Sequence, residues 1–216
     1  MARRHRNVLA GSWQLAVPVR ATTRQLCQAL TFGFLSPEER AQLVSLLGSS
    51  RDELLQTVEG VTPTQWAFRP DAETWSIGMI AEHLCLTEVS LLGRAKYALR
   101  NAPDPDWEQK TGKKLEFIER VMPSRKGRAR APDGLVPRGE RTLPDSLDEF
   151  KQLRAGTLQF VDQVNQPLKS HTAEHPFPIF GTLNAHQWLI YIPWHTQRHV
   201  EQMRELMTHA EFPADR

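Results

Sequence analysis

The sequence predicts an all-α fold, a four-helix bundle with a long connection between its second and third helices. Three observations carry that prediction. Apolar residues recur at helical spacing in four separate stretches. A Ser, Thr or Asn stands ahead of each stretch as a helix cap. No segment shows sustained strand alternation, and no internal repeat is present.

The elements follow in order. Ser36-Pro37-Glu38-Glu39 combines a capping serine, a proline at the first helical position and a reciprocal glutamate. Leu43, Leu46, Leu47, Leu54, Leu55 and Val58 form one stripe behind it, and this helix should end near Gly60. A turn runs from Thr62-Pro63 to Arg69-Pro70. Thr74-Trp75-Ser76 opens the second helix, Ile77 to about Leu99, with Ile80, Leu84, Leu91 and Leu92 inside. Residues 101–142 read as loop, broken by five prolines, around a short helix at about Glu108–Val121. Ser146-Leu147-Asp148-Glu149 fits a second capping box and should begin the third helix, which runs to about Val164. Asn184 with Gln187 caps the fourth, which runs to about Met207.

Composition narrows the function classes. With 40% hydrophobic and 24% charged residues the chain is an ordinary soluble one. No stretch approaches the roughly 20 apolar residues of a membrane span. Two cysteines, Cys27 and Cys85, are too few for a disulfide scaffold, so a cytoplasmic location is expected. The net charge of +2 is uneven: residues 1–37 hold five arginines and no acid, leaving 22 basic against 25 acidic residues beyond, a net −3. That acidic body argues against nucleic acid as a partner. The expected organisation is an Arg-rich segment over residues 1–35, a helical bundle over 36–208 and a tail over 209–216. The first segment reads as an extension or a mis-assigned start, with a short helix or a targeting peptide as the alternatives.

Candidate chemistry concentrates in histidines. His195 and His199 lie four apart, about 40° round a helix, so both rings leave one face at chelating separation. Alone, that pair reads as readily as two satisfied or exposed histidines. His83 tips the balance, because it stands among apolar neighbours of the second helix, where a neutral imidazole needs partners for both nitrogens. Three histidines from two facing helices would make an open site for a divalent metal. Thr196 occupies the place of the general-base glutamate of HExxH enzymes, and no Glu-x-x-His pair, phosphate loop or nucleophile elbow is present.

The pattern Trp75-Ser76-Ile77, Glu82-His83-Leu84, Glu88, His175-Pro176, Gly181-Thr182-Leu183, Tyr191-Ile192-Pro193-Trp194-His195, Arg198-His199 and Gln202 resembles the DinB-like superfamily over roughly residues 37–207. The resemblance implies a four-helix bundle of unusual connectivity and a divalent metal held by His83, His195 and His199. It further implies thiol-dependent S-transferases and isomerases using bacillithiol, mycothiol or glutathione as relatives, and dimerisation through the bundle as common. The superfamily name refers to induction by DNA damage and implies no DNA chemistry.

Neighbouring residues take weaker assignments. Pro193 deletes a hydrogen bond to Leu189 and should either kink the helix toward the bundle or mark its boundary. Gln202 shares the face of the histidine pair, either supporting a ligand or lying on the surface. Trp194 adjoins a ligand and walls the cavity or fills core. Glu88, about 140° round from His83, braces the neighbouring helix or reaches a pocket. His186 is a pocket rim at best, otherwise surface. His171 and His175 read as structural or exposed, and Cys85 as a small core residue. The run Arg125-Lys126-Gly127-Arg128-Ala129-Arg130 is a solvated loop or an anion-attracting lid. Two function classes follow. One is an enzyme whose Zn²⁺ or Ni²⁺ activates a low-molecular-weight thiol, for S-transfer or isomerisation of a small-molecule substrate, or activates water for hydrolysis. The other is a non-catalytic bundle binding a small molecule or a partner.

Overall fold

The computed structural model describes residues 32–125 and 130–214. The basic run is therefore described only at Arg125 and Arg130. Its centre, residues 126–129, on which the choice between solvated loop and lid falls, lies outside the described residues, as does most of the expected N-terminal extension. The bundle unit comprises Gly33–Arg216.

Four long helices build it: α1 (Pro37–Thr57), α3 (Ile77–Ala98), α6 (Leu143–Gln163) and α7 (Ala185–Met207). Short helices fill the connections: α2 (Pro63–Ala67), α4 (Trp107–Thr111) and α5 (Lys114–Val121), with a single 3₁₀ turn at Asp133–Leu135. The turn expected after Gly60 is thus partly helical, because Thr62 and Gln65 form a capping box with Pro63 behind the cap. Ser36 with Glu39 and Asn184 with Gln187 cap α1 and α7 as their sequences indicate.

The start of α6 needs correction. Thr142, not Ser146, is its N-cap, accepting a hydrogen bond from the Asp145 amide, with Pro144 in the first turn. Ser146 is instead the first inward position of a stripe that continues with Phe150, Arg154, Thr157 and Val161, and its hydroxyl is buried without a partner. Two overlapping cap patterns compete here. The upstream one wins because starting at Leu143 adds a turn of helix whose inner face meets the core.

A second correction concerns strands. Thr172–Glu174 (β1) and Thr182–Asn184 (β2) pair antiparallel, Ala173 opposite Leu183. Three residues a strand is too short for alternation to register in sequence. The hairpin delivers Asn184 to its cap position, and the Ala185 and His186 amides donate to the His171 and Leu168 carbonyls.

Around the bundle α7 packs against α1 and α3, and α6 against the same two, so α1 and α3 sit diagonally opposite. The core has two apolar ends. One gathers Leu43, Leu47, Leu91, Ala95, Val161, Leu189 and Ile192 with the hairpin. The other gathers Leu54, Val58, Ile77, Ile80, Leu84, Phe150, Val200 and Met203. Each fully buried Leu or Ile contributes about 1.5–3 kcal/mol by leaving water. Between the two ends lies a polar layer with one position on every long helix: Ser50, Glu88, Arg154 and Thr196. No helix among the described residues is long and apolar enough to cross a membrane.

Candidate metal centre

α3 and α7 bring His83, His195 and His199 together. One ligand nitrogen from each lies within 4.8 Å of the others, the rings of His83 and His199 being 4.7 Å apart and those of His195 and His199 4.5 Å. α7 runs unbroken through Pro193, so the proline marks no boundary. Because Pro193 lacks an amide hydrogen, the ladder is weakened in the turn just ahead of His195.

What each ring does with its other nitrogen is decisive. Nδ1 of His83 lies 2.7 Å from the Leu135 carbonyl, which accepts its proton. Nδ1 of His199 lies 2.9 Å from the Gln202 amide oxygen. That oxygen also accepts from Arg125, at 3.3 Å, which fixes the orientation of the amide. Nδ1 of His195 faces the Thr87 hydroxyl at 3.5 Å, and that hydroxyl already directs its own proton to the His83 carbonyl. All three Nδ1 atoms are thus oriented as donors, which leaves the Nε2 lone pairs facing inward. Nε2 of His195 and of His199 are 3.2 Å apart. Two ligands on a tetrahedral Zn²⁺ at about 2.1 Å stand about 3.4 Å apart, so the pair has the spacing of one shared ion.

Electrostatics point the same way. Burial lowers the pKa of His83. It lowers His199 to about 3, helped by repulsion from His83, and it holds His195 well below the usual histidine value, helped by His199 and His83. All three are neutral at pH 7, the state that ligates metal. Two aromatic rings flank them: Trp75 lies 4.9 Å from the His83 ring and Tyr191 6.0 Å from that of His195.

Several residues sit elsewhere than their sequence positions imply. His186 is neither rim nor surface: it is buried, nine residues or about 13 Å along α7 from His195, with Glu39 and Lys169 as its nearest charges. Trp194 makes no ring contact with the three histidines; it packs on the hairpin end of the core with its indole N–H buried and unpartnered. The indole beside the centre is that of Trp75. Glu88 braces, forming a buried ion pair with Arg154 at 2.8 Å. His171 and His175 are both buried, the latter stacked on Trp188.

Sequence reasoning missed four contributors: Trp75, Thr87, Leu135 and Glu82. Thr87 follows His83 by one helical turn, which placed it on the right face. Leu135 acts through its carbonyl, a group without a sequence signature. Glu82 is buried and accepts hydrogen bonds from the Arg138 and Gly139 amides, at 3.1 and 2.8 Å, holding the strand of loop that presents Leu135. The long connection is thereby tied to the centre at two points, through Arg125 and through Leu135.

The chain as a whole is similar to known proteins. The sequence model of the DinB superfamily matches residues 46–203. The uncharacterized protein YuaE of Bacillus subtilis is 25% identical over 169 residues, covering 76% of this chain and 96% of that one. A solved structure of Bacillus subtilis YfiT, described as a probable metal-dependent hydrolase with an unusual four-helix bundle topology, superposes with a TM-score of 0.57 at 17% identity. The match covers 80% of this chain and 88% of YfiT.

Proposed function

The chain belongs to the DinB superfamily, and on that premise we propose that it is a divalent-metal-dependent enzyme acting on a small molecule at His83, His195 and His199. The observation that carries this reading is the division of roles within each ring. Every Nδ1 is engaged by Leu135, Thr87 or Gln202, while three Nε2 lone pairs share one small volume. Inward lone pairs held this close repel one another, and a cation between them removes that cost.

When bound, the ion supplies Lewis acidity, favouring the deprotonated form of the water or thiol at its remaining position. The residues present serve that chemistry in stated ways. Three neutral imidazoles, unlike carboxylates or thiolates, leave the charge of the ion undiminished. Leu135, Thr87 and Gln202 prevent the rings from turning, and Arg125 prevents the Gln202 amide from turning in its place. Trp75 and Tyr191 close two sides with apolar surface.

The description of YfiT as a probable hydrolase supports water as the nucleophile. A different observation favours a thiol: among the described residues no carboxylate joins the three histidines, so the cluster itself brings no carboxylate base. A thiol, with a pKa near 8.5, needs far less assistance than water to ionise. We therefore propose a low-molecular-weight thiol as co-substrate, with S-transfer or thiol-assisted isomerisation as the outcome.

Elemental analysis of untagged protein tests the reading. About one Zn²⁺ or Ni²⁺ per chain is expected, followed by turnover of electrophiles only when a thiol is added. Absence of metal after refeeding with Zn²⁺, Ni²⁺ and Mn²⁺ would sink it, and the histidines would then be polar core residues.

A further inference from the structure

Arg154 is fully buried, and each of its five N–H donors has an acceptor. Nε donates to Glu88 Oε1 at 2.8 Å, and one terminal nitrogen to Glu88 Oε2 at 3.0 Å. The same terminal nitrogen reaches the Thr196 hydroxyl at 3.0 Å. The other donates to the Leu47 carbonyl at 2.6 Å and to Ser50 at 2.8 Å. Thr157 closes the layer by donating to Glu88 at 2.8 Å. One guanidinium therefore touches all three other long helices, at fixed angles that a sliding apolar contact does not impose.

The acceptors adjoin the metal centre in sequence. Thr196 follows His195, and Glu88 follows Thr87, whose hydroxyl meets the His195 ring. Thr196 also donates to the Ile192 carbonyl at 3.0 Å, in the turn that directly follows the ladder bond lost between Leu189 and Pro193. Such a turn bends easily, and His195 and His199 ride on it. Resting on the metal-centre reading, we infer that the Arg154–Glu88–Thr196 layer is a positioning device, which fixes the Pro193–Thr196 turn of α7 against α3 and so sets where His195 and His199 meet His83. These are positioning residues; none of them belongs to the three-histidine group. A buried ion pair adds little stability over well-packed apolar residues, and register is the role best attested for such groups.

Thr196→Val tests this with almost no change in shape, using Co²⁺ as the probe in the full chain. The dissociation constant for Co²⁺ should rise about ten- to hundredfold, with an altered visible band, and Thr196→Ser should restore both. Val161→Ala, a buried apolar deletion on α6 in the hairpin end of the core, should lower the melting temperature of the apo protein and leave the Co²⁺ constant within about twofold. An unchanged constant in Thr196→Val overturns the inference, as does an equal loss of affinity in Val161→Ala. Failure of the wild type to take Co²⁺ removes the metal-centre reading itself and the inference with it.

Discussion

Two buried polar clusters lie side by side in this bundle, and they differ in how completely they are satisfied. In the Arg154 layer every donor of the guanidinium is used, and the carboxylate of Glu88 accepts from two side chains. In the histidine centre, one turn away on the same two helices, half of each ring is satisfied and the other half faces its neighbours. A closed polar network explains itself as architecture. A network satisfied on its outer side only, with its lone pairs gathered inward, calls for a ligand. Burial and residue type alone do not separate the two.

Substitutions that sharpen this contrast should divide cleanly between metal and stability. The largest effect is expected from His83→Ala or His199→Ala: the bound ion falls to background by elemental analysis, while the apo protein keeps its helical circular dichroism. Next comes Arg154→Ala. It strands the Glu88 carboxylate and should cost about 3–5 kcal/mol in urea unfolding, whereas replacing both partners by apolar residues should cost far less. Gln202→Ala releases His199 to rotate and should weaken metal about ten- to hundredfold by chelator competition, with little change in apo stability.

Acid should distinguish a third kind of buried polar group. His186 has no partner at Nε2, and burial lowers its pKa from 6.5 to about 4. Between those values the unfolded chain binds a proton that the folded chain refuses. Stability therefore falls as the pH drops through this window and is unaffected above it. The slope from this residue is about 1.4 kcal/mol per pH unit. His186→Phe should reduce the pH slope of the urea midpoint between pH 6.5 and 4.5 by the share of one proton, the other buried histidines supplying the rest; an unchanged slope would assign the acid sensitivity to them alone. The smallest effect tests the start of α6. Thr142→Ala should cost about 1 kcal/mol, and Ser146→Ala nothing or less, since its hydroxyl has no partner.

Much of this was legible in the chain. Ser36, Ser76 and Asn184 mark their helix starts because a cap acts on amides two or three residues away, entirely within local sequence. The spacing of His195 and His199 places both on one face because helical geometry does. What sequence leaves open is every contact made across elements. The choice between Thr142 and Ser146 depended on which start gives α6 an inner face. His186 lies elsewhere than expected because periodicity says which residues share a face, while only tertiary packing, which brings Glu39 and Lys169 near it, says what covers it. The roles of Leu135 and Glu82 depend on a loop carbonyl and two loop amides, which every residue type shares.

By itself, then, the sequence determined the class of fold, the capped ends of three of its long helices and the identity of three histidines able to chelate. Tertiary structure alone decided that Glu88 pairs with Arg154, that Trp75 rather than Trp194 flanks the centre, and that Gln202, Thr87 and Leu135 hold the rings. The reason is physical. Caps and helix faces arise from interactions within about one turn of chain, and their patterns are written in consecutive residues. Which lone pair faces inward is settled by partners 52 and 108 residues distant, for His83 and His195, through distances that no local spacing encodes.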